Sequence, residues 1–202
     1  SLEQIVNLAL ELGESEAEEL VLQYIKQSED VVPAEKKANY IDKLLHYSDY
    51  IPKVMTSTDI AQLLYIYGYY QSAQKVMNCL TADNNMLNYN NLLLLGDIQH
   101  ILLSPKASHT YMQAAKITGI ATSDKLKALN REIMALNQEH KEALAKDLYI
   151  EAFAKYESVQ CVGLVELYRN SNNSFGYDAA MEYTIKGYFL AKKLGESLEM
   201  YK

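Results

Sequence analysis

The feature that most constrains this chain is a recurrence of small residues at a nearly fixed interval inside helical patterns. Ala61 and Gly96 stand 35 positions apart, and Ala73 and Ala107 stand 34 apart. Met55 to Gly119 therefore reads as two helical hairpins in succession, at the spacing of arrays built from helix pairs. A small residue on each helix lets two backbones approach, and a bulky residue beyond it fills the gap.

Composition agrees with an all-helical protein. Hydrophobic residues make up 49% of 202, with only eight Gly and three Pro, so core material is plentiful and helix breakers are few. The aromatic residues are almost all Tyr, 17 against three Phe and no Trp, which suits sites where the ring is buried and the hydroxyl reaches a polar partner. Net charge is −7 and lies in the first half, where residues 1–101 carry 14 acidic and 6 basic side chains. A phosphate-binding surface needs clustered cations, and only Lys125, Lys127 and Arg131 come close; that trio reads as a solvated helix face, and nucleic acid is not expected as a partner. No apolar run is long enough to span a membrane. The chain begins Ser1-Leu2 without Met, as expected of a boundary inside a longer protein, and the sequence assigns no compartment.

Along the chain, apolar residues at helical spacing predict a helix over 2–12 ended by Gly13, and a second that starts at the Ser15/Glu18 capping box. Pro33 suits the first position of a third helix through Ala38, Ile41, Leu44 and Leu45 towards Tyr47, stopped near Pro52. Thr56 or Ser57 caps a helix through about Tyr67, and another runs from Gln71 to Leu80. The turn Asp83-Asn84-Asn85 leads to a helix from about Met86, and Ser104-Pro105 opens its partner, closed by Gly119. Beyond Gly119 the repeat register is lost. Ser123–Tyr156 reads as two helices broken near Asn137, with Leu126, Leu129, Ile133, Leu136, Leu144, Leu148, Ala152 and Tyr156 as the apolar stripe. A helix over Val159–Arg169, an Asn-rich loop and a helix to Leu194, capped by Gly195, complete the pattern.

The residues Ala61, Ala73, Tyr70 and Met77, and then Gly96, Ala107, Tyr111, Ala114-Ala115 and Gly119, resemble the tetratricopeptide repeat and the Sel1-like repeat. Gly163, Ala179, Tyr183 and Gly187 form a weaker third copy. The consensus Trp is absent, and the long glycine-containing loop of the Sel1 type is missing from the 86–119 unit. The resemblance implies an all-α right-handed superhelix of antiparallel helix pairs. It is read as one helical-repeat domain over 1–202, clearest over 55–85 and 86–119 and degenerate over 14–50 and 158–195.

An enzyme would need catalytic signatures that this sequence lacks. There is no G-x-S-x-G elbow, no phosphate-cradling glycine loop before a Lys, and no H-E-x-x-H. His46, His100, His109 and His140 are at no short metal-ligand spacing, and the acidic group Glu11, Glu14, Glu16, Glu18 and Glu19 lacks the alternation of a calcium loop. Cys79 and Cys161 are expected as buried small apolar residues, with neither a disulfide framework nor a zinc pair. No metal, cofactor or catalytic residue is therefore assigned, and the chain is not expected to be an enzyme. The function expected is a scaffold or adaptor that holds a protein or peptide, with self-association left open. A sensing or oligomerising segment of a larger regulator stays open as the alternative, and a hydrolase or transferase built from scattered residues less so.

If Ile60, Ala61 and Leu64 pack against a neighbouring helix, the other face carries Thr58, Gln62, Tyr65 and Tyr69. In the next repeat Leu93, Asp97 and His100 take equivalent positions. The resemblance implies that first helices line a concave groove, so these seven are the candidate binding residues. Packing of Tyr65 and Tyr69 against a neighbouring repeat is the other reading of the same spacing.

Overall fold

The computed structural model describes Gln4 and residues 32–47, 56–82 and 87–195. The helices expected over 2–12 and from Ser15, the acidic group Glu11–Glu19, the stop at Pro52 and the Asp83-Asn84-Asn85 turn lie outside them. Among the described residues there are nine α-helices and no strand. They are α1 (Ala34–Tyr47), α2 (Thr58–Ile66), α3 (Tyr70–Thr81), α4 (Tyr89–Ile101), α5 (Ala107–Ala115), α6 (Thr122–Gln138), α7 (Glu142–Tyr156), α8 (Val162–Asn170) and α9 (Tyr177–Leu194). Most pack on their neighbours in sequence. The chain divides into two compact units, Ser1–Leu87 and Asn88–Lys202.

In the first unit, Pro33 stands one residue ahead of α1, where its carbonyl accepts the N–H of Lys37 at 3.1 Å. Ser57 caps α2 by accepting the N–H of Ile60 at 3.2 Å. The helix stops because Gly68 takes a positive φ of 84°, which lets the Tyr69 N–H return to the Leu64 carbonyl at 2.9 Å. Ile60, Ala61 and Leu64 of α2 are buried, with Ala73, Val76, Met77 and Leu80 of α3 and Ala38, Ile41, Leu44 and Leu45 of α1. Polar bonds tie α1 to α3 at a constant sequence separation of 30: Ser72 Oγ donates to Asp42 at 2.6 Å and Lys75 Nζ to the Leu45 carbonyl at 2.9 Å. Cys79 is exposed, not buried: α3 turns its Ala73, Val76, Met77 and Leu80 stripe inward, and position 79 falls between the members of that stripe.

In the second unit, α4 starts at Tyr89, later than the expected Met86, because Asn88 is the residue whose side chain accepts the orphan N–H of Asn91 at 3.0 Å. Ser104 and Pro105 belong to a turn ahead of α5, which begins at Ala107. The free N–H groups at that start are met from another helix: the Glu139 carboxylate accepts from Ser108 N at 3.2 Å and Ser108 Oγ at 3.0 Å. Burial works to raise the Glu139 pKa, and the bonds from Lys141 and Ser108 outweigh it, leaving it below the usual value. α5 ends at Ala115, and Gly119, with φ 82°, sits in the following turn.

Gly96 marks the closest approach of α4 and α5. A Cβ there would lie 2.5 Å from Cε1 of the Tyr111 ring, itself 2% exposed. Gly163 does the same between α8 and α6, where a Cβ would run into the backbone oxygen of Ser123. The break between α6 and α7 is made by His140, which adopts φ 58° so that the Lys141 N–H bonds back to the Leu136 carbonyl at 2.9 Å. Of the stripe expected beyond it, Ala152 is buried, and Leu148 and Tyr156 pack half-buried on the same core. Leu144 is exposed, and Ala145, Tyr149, Ala152 and Phe153 are the buried residues of α7. They join Leu126, Ile133, Leu136, Leu164, Leu167 and Tyr168 in one core. Phe153 stacks on Tyr168 at 4.7 Å and packs on Tyr183 of α9 at 4.4 Å. On α9 the small buried residues are Ala180, Gly187 and Ala191; Ala179, expected to be one of them, is exposed. Gly195 takes φ 71° as the left-handed cap of α9.

Candidate functional site

Thr58, Gln62, Tyr65 and Tyr69 belong to the first unit and Leu93, Asp97 and His100 to the second. Thr58 opens α2, Gln62 is exposed, and Tyr65 is half-buried with its ring edge-on to Tyr70 at 5.7 Å. Tyr69 is not on their stripe. The helix has ended at Ile66, and the Tyr69 hydroxyl instead accepts from Asn39 Nδ2 of α1 at 2.8 Å. Leu93 packs against two clusters of buried residues, around Leu92 and around Tyr111.

Asp97 and His100 open into a groove of about 450 Å³. It is lined by α4 through these two residues, by Tyr111 of α5, by Lys127, Asn130, Arg131 and Met134 of α6, and by Glu166, Arg169 and Asn170 of α8. Asp97 holds one wall together: it accepts the Tyr111 hydroxyl at 2.7 Å and lies 3.4 Å from Arg131 Nε. Burial raises its pKa, and the Tyr111 bond and Arg131 oppose that without cancelling it. The His100 ring meets Tyr111 edge-on at 6.5 Å.

Two polar atoms on this lining have no hydrogen-bond partner among the described residues. They are Asn130 Oδ1 and His100 Nδ1, both shielded from solvent, and Asn130 as a whole is 5% exposed. An unmet buried acceptor costs about 1–3 kcal/mol. Lys127 and Arg169 add two cations that have no ion pair among the described residues. A lining of this kind can accept an N–H donor at Asn130 and hold carboxylates or carbonyls at Lys127 and Arg169.

The sequence points only to Asp97 and His100 of this lining, and the interval of 34 carried past Gly119 reaches three more. Adding 34 to Gly96, Asp97 and His100 gives Asn130, Arg131 and Met134, all on the lining, and the Asp97–Arg131 pair spans that interval. The cationic trio splits between two faces: Lys127 and Arg131 line this groove, while Lys125 lines another.

That second groove, about 330 Å³ between α5, α6 and α7, borders on Glu132, 8% exposed. Burial pushes its carboxyl up to about 7, with Lys116 opposing. Comparison of the chain with protein families, with curated proteins and with solved structures yields no match, so no family is identified. Among the described residues, no group of His, Cys, Asp and Glu is placed to hold a metal ion, and no helix is long and apolar enough to cross a membrane.

Proposed function

We propose that the chain is a non-catalytic interaction module, and that the groove between α4, α6 and α8 holds an extended peptide segment of a partner protein. In this reading each unit is built of antiparallel helix pairs akin to tetratricopeptide-like or Sel1-like repeats, and those of the second unit form a right-handed array. α2/α3, α4/α5, α6/α7 and α8/α9 are the pairs, and the first helices of the last three supply most of the lining. The observation that carries the proposal is Asn130 Oδ1, a buried acceptor without a donor in a polar groove. A peptide backbone N–H is the donor that an extended chain offers at every residue. Lys127 and Arg169 favour acidic side chains on either side of it.

The test is selection from a phage-displayed library of random linear peptides, followed by calorimetric titration of the enriched sequences. Enriched peptides should carry Asp or Glu, and Lys127→Ala with Arg169→Ala should weaken them roughly tenfold or more without lowering the melting temperature. Failure to enrich any peptide, or enriched peptides indifferent to both changes, would exclude this groove as the site.

A further inference from the structure

α9 buries one face and leaves the other bare. Ala180, Gly187 and Ala191 pack inward. At 100° per residue the opposite face is centred on Ile185, and it carries Tyr177 at 77% exposure, Met181 at 44%, Ile185 at 49% and Phe189 at 63%. A contiguous apolar stripe of this length marks a surface that something covers.

We infer that a second copy of this chain covers it, α9 against α9, antiparallel about a two-fold axis passing at Ile185. The charges on the same face select both the occupant and its direction. Asp178 stands seven residues before Ile185 and Lys192 seven residues after it, both exposed. A two-fold through Ile185 therefore sets Asp178 of each copy against Lys192 of the other, and Met181 against Phe189. A parallel pairing would instead oppose Asp178 to Asp178 and Lys192 to Lys192, which is repulsive. Glu182 does not enter this account, because it is engaged within its own helix by Lys186 at 3.1 Å. An isologous interface of this kind needs only one self-complementary patch, and α9 supplies it. The inference is independent of the peptide groove, whose residues lie on α4, α5, α6 and α8.

The test is sedimentation equilibrium of the full 202-residue chain over a range of concentrations. The parent should associate to a dimer. Ile185→Glu should be monomeric with an unchanged helical circular dichroism spectrum. Asp178→Lys and Lys192→Asp, both at exposed positions, should each raise the dimer dissociation constant roughly tenfold or more, with circular dichroism confirming that each is folded. Mixed in equal amounts, these two single variants should form a heterodimer, because each then meets opposite charge on the other, and the double variant should self-associate again. A parent that remains monomeric at every concentration would overturn the inference. A dimer that survives the single charge reversals, or that the double variant fails to restore, would do the same.

Discussion

Gly96→Leu should be among the most damaging substitutions in the second unit, and its cost can be built from the structure. Even the first added carbon would lie 2.5 Å from Cε1 and 2.6 Å from Cδ1 of Tyr111. The ring has nowhere to retreat: it is 2% exposed, its hydroxyl is bonded to Asp97 at 2.7 Å, and His100 lies against it. Forcing such an overpacked site apart costs up to about 3 kcal/mol, and loss of the Tyr111–Asp97 bond adds about 1. Replacing Gly by a better helix former returns about 1 kcal/mol. The net loss is about 2–3 kcal/mol, to be read from the urea midpoint at constant slope. Gly176→Ala is the control, since nothing lies within 4 Å of its added carbon and its φ is −64°; the entropic gain and the poorer N-cap of α9 should leave it within about 1 kcal/mol of the parent. If Gly96→Leu matched the parent in stability, α4 and α5 would not approach at Gly96, and the packing reasoning would fail.

Glu132→Gln should stabilise the protein above neutral pH. A folded pKa of about 7 against 4.5 means that the folded state holds a proton the unfolded state releases, so the stability Glu132 contributes is full below pH 4.5 and is lost as pH rises through 7. Thermal melts of parent and variant at pH 5 and pH 8 should differ by about 2–4 kcal/mol more at pH 8; parallel behaviour at both would refute it. Glu139 has the opposite sign. Its lowered pKa lends stability above the usual carboxylate range that is lost on acidification, so Glu139→Gln should flatten the low-pH limb of the stability curve. Leu64→Ala, at a site with no solvent exposure, should cost about 2–5 kcal/mol in denaturant titration, and a loss under 1 would place Leu64 outside the core.

The helix pairs between residues 57 and 115 were legible because small residues at fixed spacing and Ser57 act locally. The position of Tyr69 was not: a periodicity continues on paper past Gly68, but a left-handed residue there turns the chain and sends the ring to Asn39. Past Gly119 the interval is harder to follow for a different reason. Asn130 stands 34 positions after Gly96 and is not small, so a search for small residues passes over it. His140 does the work usually given to Gly, and the first turn of α7 buries Ala145 rather than the larger Leu144. Asp97 and His100 were named for the groove, whereas Lys127, Asn130 and Arg169, which supply its charge and its unmet acceptor, become visible only when three helices are brought together.

Asn130→Leu separates function from stability at the centre of the account. Removing a buried acceptor that lacks a donor should leave the protein as stable as the parent or more stable, by up to about 1–3 kcal/mol. The deciding measurement is the dissociation constant of a peptide enriched on the parent, titrated into Asn130→Leu. Affinity should fall tenfold or more while the melting temperature holds or rises. Unchanged affinity in a folded variant would contradict it.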